Sequence, residues 1–171
     1  MSGRIQIYTG NGKGKTTSAL GLIPGAVGKG KKIFFGQFLK SGKYSEMDSL
    51  RRFPDQVTVE YYGLGKFVKG CPSDEDKSAG RRGYEKIREI LRQGIHDLVI
   101  MDEGNMAVKY GIISEQALLD LFSIKPEHVE LVVTGRGATP AVMDRADRVL
   151  EMNAQKHYYQ QGVKARVGIE K

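Results

Sequence analysis

Short apolar runs alternate with longer segments in which apolar residues recur at helical spacing. Runs at 4–8, 32–39, 57–61, 98–101, 131–134 and 149–152 are rich in Val, Ile, Leu, Phe and Tyr and predict strands. The intervening segments 16–28, 74–92, 114–122 and 140–146 predict helices. Ser73 or Asp74 is a suitable N-cap for the second, Pro140 suits a first helical turn, and Pro24-Gly25 should kink or shorten the first. Strands alternating with helices imply an α/β fold: a mostly parallel sheet with helices on both faces. The polar, glycine-bearing connections 40–50 and 63–73 both follow strands. They are either candidates for holding a second substrate or plain solvated loops. There is no internal repeat and no low-complexity segment.

Composition narrows the class. The 171 residues suit a single domain with a substantial core. No apolar run of about 18 residues and no charged-then-apolar leader is present, so the expectation is a cytoplasmic protein without a membrane span. Cys71 is the only cysteine, which excludes an intrachain disulfide and a cysteine-cluster metal site. A net charge of +7 raises nucleic acid as a partner. Yet Lys13, Lys15, Lys29, Lys31 and Lys32 lie in or near a phosphate-binding segment, and no zinc finger, RNA-binding aromatic signature or long basic arm is present. Nucleic acid is therefore not expected as the main ligand.

The segment Y-T-G-N-G-K-G-K-T-T at 8–17 joins the first strand to the first helix. Gly10, Gly12 and Gly14 allow positive φ, so that backbone N–H groups turn inward around an anion. Asn11 and Lys13 fill the loop, Lys15 can reach terminal phosphate oxygens, Thr16 can offer a hydroxyl to Mg²⁺, and the helix opening at about Thr16, with Thr17 next, adds a positive dipole end. The usual G-x-x-x-x-G-K-[ST] register is shifted, because the position five before Gly14 is Thr9. Lys13 adds a second ammonium suited to a highly charged polyphosphate.

Two further strand ends carry chemistry. The apolar run 98–101 ends in Asp102 and Glu103, either of which could ligate a cation directly or through water. The run 131–134 leads to Arg136, which either reaches a phosphate oxygen from the opposite side or pairs with Asp144 or Asp147. His96, His128 and His157 show no metal-ligand spacing. Tyr61-Tyr62 and Tyr158-Tyr159 read as packing residues.

Taken together, G-N-G-K-G-K-T-T at 10–17, Val-Gly-Lys-Gly-Lys at 27–31, Gln37-Phe38-Leu39-Lys40, Met101-Asp102-Glu103, Val108-Lys109-Tyr110-Gly111, Thr134-Gly135-Arg136-Gly137, Ala146-Asp147, and the tail from Lys156-His157 to Gly168-Ile169 resemble the ATP:corrinoid adenosyltransferases. The resemblance spans nearly the whole chain. It implies a single-domain P-loop (RecA-like) fold over 1–171 that transfers the 5′-deoxyadenosyl group of ATP to the Co(I) centre of a corrinoid, cob(I)yrinic acid a,c-diamide or cob(I)alamin, with release of triphosphate. By the same resemblance, residues 10–17 hold the triphosphate, Thr16 and Glu103 (with Asp102) hold Mg²⁺ or Mn²⁺, and Lys15, Glu103 and Arg136 form the catalytic set. Phe67 matches one of two aromatics that face the corrin. The second has no counterpart, since Val68-Lys69 follow and the chain contains no tryptophan. A flavoprotein reductant and a homodimer are also implied. Two other classes use such a loop: a nucleoside kinase, which needs a nucleoside pocket and a base near the γ-phosphate, and a nucleic-acid-stimulated ATPase, which the net charge favours slightly.

Overall fold

The computed structural model describes residues 2–40, 45–65, 70–156, 162–163 and 166. Six strands form one sheet: β1 (Ile5–Thr9), β2 (Ile33–Phe38), β3 (Val57–Tyr62), β4 (Leu98–Asp102), β5 (Glu130–Thr134) and β6 (Arg148–Glu151). Every neighbouring pair is parallel, in the order β3-β2-β4-β5-β1-β6. The strands therefore match the expected α/β architecture, with ends shifted by a residue or so.

Side chains alternate strictly between the two faces. Phe34, Phe38, Val99, Met101, Leu131 and Val133 pack into one core with Ile87 and Leu91. Ile33, Phe35, Leu98, Ile100 and Val132 pack into the other with Ala19 and Ile23. A parallel sheet buried on both faces needs such continuous apolar runs, and this is why these strands read so plainly in the sequence.

The helices are α1 (Lys15–Leu20), α2 (Leu22–Val27), α3 (Ser45–Leu50), α4 (Asp74–Gln93), α5 (Gly104–Lys109), α6 (Glu115–Ile124) and α7 (Pro140–Asp144). Ser73 caps α4 with a full capping box: its Oγ accepts from the Asp76 N–H at 3.1 Å, and the Asp76 carboxylate accepts from the Ser73 N–H at 3.0 Å. Pro140 occupies the first turn of α7, as expected.

The structure sharpens two expectations. The helix predicted over 16–28 is divided, as Pro24-Gly25 implies, and the break falls at Gly21, upstream of Pro24. A proline ring clashes with the carbonyl four residues earlier, so Pro24 disrupts the chain one turn upstream and itself falls harmlessly in the first turn of α2. The connection 40–50 is not all loop, since its second half forms α3, whose Met47 and Leu50 are buried against the sheet.

Candidate functional site

The carboxyl ends of β1, β2, β4 and β5 converge on a cavity of about 420 Å³, which is where open α/β sheets place their ligands. The phosphate loop forms its floor through Gly12, Lys13, Gly14, Lys15, Thr16 and Thr17. Gly10 and Gly14 have φ of 92° and 106°, values that favour glycine, so the loop turns its backbone as the sequence demands. Its seat was not legible in the sequence. Gly12 N–H donates to the carbonyl of Met152 at 2.6 Å, and a Cβ on Gly10 would collide with that same carbonyl. The chain beyond β6 thus buttresses the loop.

Lys15 is nearly buried, and its Nζ donates to the carbonyls of Gly10 and Gly12 at 2.8 and 2.6 Å. Burial, and then the Arg136 guanidinium, hold its pKa below the usual lysine value, with Glu103 acting in the opposite direction. An anion in the cavity would offer this ammonium a better partner than two neutral carbonyls.

Asp102 is completely buried and saturated with donors. Its Oδ1 accepts from Thr16 Oγ1 at 2.8 Å and from Thr134 Oγ1 at 2.6 Å, and its Oδ2 accepts from Gln37 Nε2 at 3.0 Å. The carboxylate therefore sits behind Thr16 and orients its hydroxyl. With that proton committed to Asp102, the lone pairs of Thr16 Oγ1 are left for a cation.

Glu103 follows at φ 59°, an uncommon value for a side-chain-bearing residue, and its N–H donates to Thr134 Oγ1 at 3.1 Å. The carboxylate lines the cavity and pairs with the Lys40 ammonium at 2.7 Å. A threonine hydroxyl beside a carboxylate is a hard-oxygen donor set, which fits Mg²⁺ or Mn²⁺.

Arg136 reaches the cavity from the turn after β5 and has no ion pair among the described residues. The competing expectation, a pair with Asp144 or Asp147, is not what forms: neither pairs with Arg136, and Asp147 accepts from the Ile5 N–H at 2.8 Å and pairs with Arg4 at 3.4 Å. Gly135, at φ 124°, lets the Arg136 turn approach Glu103 and Asn105 closely. Lys13 and Asn11 belong to the loop, with Asn11 exposed, and Thr17 lies in the first turn of α1.

Sequence reasoning gave no role to Gln37, Lys40, Glu46, Met106 or Tyr110, all of which line the cavity. Gln37 left the one usable signal, a polar residue in a strand whose other positions are all apolar or glycine. Phe67 lies outside the described residues, as do His157 and Tyr158-Tyr159. His96 and His128 are remote from the cavity; His96 stacks edge-on against Phe34, and His128 bonds the Gly94 carbonyl. No cluster of metal-ligating side chains occurs among the described residues, beyond what a hydroxyl and carboxylate can provide here.

A shallow groove along α4 is lined only by residues of that helix, including Lys77, Arg81, Arg82 and Lys86. Lys77–Asp74, Lys86–Glu89 and Arg88–Glu85 ion pairs lace this face, as on a solvated helix. No described helix is long and apolar enough to cross a membrane.

Comparison with known proteins bears on the family and the fold. The family described as ATP:corrinoid adenosyltransferase BtuR/CobO/CobP matches residues 1–170. The corrinoid adenosyltransferase of Pseudomonas aeruginosa is 34% identical over 169 residues, covering 98% of this chain and 83% of that protein. Those of Escherichia coli and Salmonella typhimurium are each 32% identical over 168 residues, covering 98% of this chain and 85% of theirs. Among solved structures, a KaiC-like protein of Pyrococcus horikoshii superposes with a TM-score of 0.51 at 19% identity, over 91% of this chain and 75% of that one. That likeness bears on the fold alone.

Proposed function

This chain belongs to the ATP:corrinoid adenosyltransferase family, and on that premise we propose that it moves the 5′-deoxyadenosyl group of ATP onto the Co(I) centre of a corrinoid, cob(I)yrinic acid a,c-diamide or cob(I)alamin. In this transfer the C5′–O bond breaks, a cobalt–carbon bond forms with the electron pair of Co(I), and triphosphate departs with the C–O electrons. The substrate supplies the nucleophile, so the protein needs no general base.

One observation carries the reading: the two carboxylates at the end of β4 are already engaged, Asp102 by three donors and Glu103 by Lys40, while Lys13, Lys15, Lys40 and Arg136 line the space beside Glu46. A cavity with this excess of cationic side chains is suited to holding a polyanion and stabilising it as a leaving group. Gly10 to Thr17 would wrap the triphosphate, Lys13 and Lys15 would neutralise it from the loop side, and Arg136 would do so from the opposite wall. Thr16 and Glu103 would hold Mg²⁺ or Mn²⁺, which would add positive charge against the triphosphate. Asp102 keeps Thr16 in the required rotamer. The remaining work is orientation and exclusion of water and oxidants.

The corrin is assigned to the loops after β2 and β3, and Phe67 is assigned to it through its match to an aromatic that faces the corrin in the family. The single six-stranded sheet supports one functional unit over 1–171. A flavoprotein reductant, a homodimeric assembly and a cytoplasmic location complete the proposal.

The test is anaerobic: protein, MgATP and chemically reduced cob(I)alamin are mixed, the cobalt–carbon product is followed by its absorption spectrum, and the phosphate product by chromatography. Adenosylcobalamin with one triphosphate per turnover is expected. ADP or inorganic phosphate without adenosylation would refute the assignment.

A further inference from the structure

Among the described residues, only two that are not glycine have positive φ: Leu39 at 63° and Glu103 at 59°. Left-handed backbone at such residues costs on the order of 1–3 kcal/mol and persists where the surroundings impose it, often at functional sites. Here the two positions border one contact, the 2.7 Å ion pair between Lys40 and Glu103.

Lys40 is held from both sides. Its N–H donates to the Phe38 carbonyl at 2.7 Å, closing a three-residue turn around Leu39. The backbone at Gly63, beyond β3, lies so close to the turn that any Cβ there would strike Lys40 N. Glu103 is fixed in turn by its N–H bond to Thr134, the residue that also braces Asp102. Both side chains are largely shielded, with exposures of 23% and 17%. A strained turn, a glycine floor and a threonine brace thus converge to set one ammonium on one carboxylate. That carboxylate is the group assigned above to the divalent cation, and the inference rests on that assignment.

We propose that Lys40 is the resident counter-cation of Glu103, and that Lys40 and the divalent cation exclude each other there until a polyphosphate enters. The charges give the reason. Lys15, Arg136 and Lys40 line the same cavity as Glu103. A bare divalent cation arriving at Glu103 would meet this cluster and would have to displace the ammonium from its partner. A triphosphate changes the balance, because it brings several negative charges along with the cation. Lys40 can then turn from Glu103 to a phosphate oxygen while the cation takes the carboxylate. The site would accept metal with nucleotide, and resist metal alone.

The probe is Mn²⁺, with free ion read by electron paramagnetic resonance, titrated into the complete protein with and without inorganic triphosphate. Lys40→Met should bind Mn²⁺ alone on the order of tenfold more tightly than the wild type, because one nearby positive charge and one competitor are removed. Lys40→Arg should behave like the wild type. With Mn²⁺ present, Lys40→Met should bind triphosphate more weakly. Thermal melts establish that each variant is folded, and Lys40→Gln replaces Lys40→Met if the latter is not. Equal Mn²⁺ affinity in Lys40→Met and wild type would overturn the inference, as would equal tightening in Lys40→Arg, which would make shape rather than charge the cause. Glu103→Gln separates the two levels. If it loses Mn²⁺–triphosphate binding while Lys40→Met matches wild type, the cation assignment stands and the Lys40 role falls. If Glu103→Gln binds Mn²⁺–triphosphate undiminished, both fall.

Discussion

Replacing Asp102 by asparagine or by alanine should have sharply different consequences, and the difference can be worked from its partners. The carboxylate accepts three hydrogen bonds in a fully buried position, from Thr16, Thr134 and Gln37. Alanine removes both acceptor oxygens and leaves the three donors without partners, at about 1–3 kcal/mol each, so Asp102→Ala should lose roughly 3–6 kcal/mol after some relaxation. Asparagine can keep its oxygen toward the two threonines, which turns its NH₂ toward Gln37. The Gln37 Oε1 is buried and has no hydrogen-bond partner, so flipping that amide presents an acceptor to the new donor. What is lost is mainly the charge assistance of the bonds, about 1–2 kcal/mol in all. Urea unfolding of the ligand-free protein, followed by circular dichroism, measures both. If the alanine variant lost no more than the asparagine variant, the three-donor account of Asp102 would be wrong. Because Thr16 would still be oriented by the amide oxygen, Asp102→Asn should also retain measurable triphosphate binding.

Other expectations follow from particular residues. Glu103→Gly should be more stable than Glu103→Ala by about 1 kcal/mol, since both lose the Lys40 pair but only glycine accepts φ 59° without strain; equal unfolding midpoints would argue against strain there. Lys15→Ala and Thr16→Ala should abolish adenosylation while leaving the far-ultraviolet spectrum unchanged, and wild-type turnover in either would displace the triphosphate from this loop. Burial, and secondarily Lys32, lower the His96 pKa below its model-peptide value of 6.5, so the unfolded chain takes up the proton first as pH falls. Stability should therefore be intact above pH 6.5 and decline below it toward the lowered folded value, and His96→Gln should flatten that decline. Parallel stability–pH curves for the two proteins would exclude His96 as its source. Gly10→Ala should weaken triphosphate binding at least tenfold, because its Cβ meets the Met152 carbonyl in a left-handed conformation; unchanged affinity in isothermal titration would mean that the seat is not needed.

The inner strands were legible because a sheet buried on both faces demands largely apolar runs; the edge strands β3 and β6 are partly exposed and showed through their Val, Tyr and Leu residues, and the ends of all six agree closely with the structure. Helix α4 was legible for a different reason, the Ser73 cap followed by an amphipathic stretch. The short helices α3 and α5 were not, since six residues hold too few turns to display a period. At the site, the loop glycines, Lys15, Thr16, Asp102 and Glu103 announced themselves through local spacing. Lys40, Gln37, Thr134 and Met152 did not, because each owes its position to strand order rather than to its neighbours in the chain. For Arg136 the sequence left open a phosphate oxygen or a pair with Asp144 or Asp147; the structure gives Asp147 to Arg4 and Ile5 and puts Arg136 in the cavity lining.

The seat of the phosphate loop on Met152 has a bearing on how the protein is made. Of the six described strands β1 is synthesised first, yet in the sheet it lies between β5 and β6, the last two of the six. During translation the glycine loop therefore emerges early and waits, without the backbone carbonyl that shapes it, until nearly every other element has appeared. Nucleotide cannot act as a template for the growing chain, since ligand stabilises only a state that binds it. The growing chain must protect its apolar strands by other means, and contacts this distant in sequence form slowly. A chain interrupted before Met152 would carry the full motif as a string of residues and have no binding site.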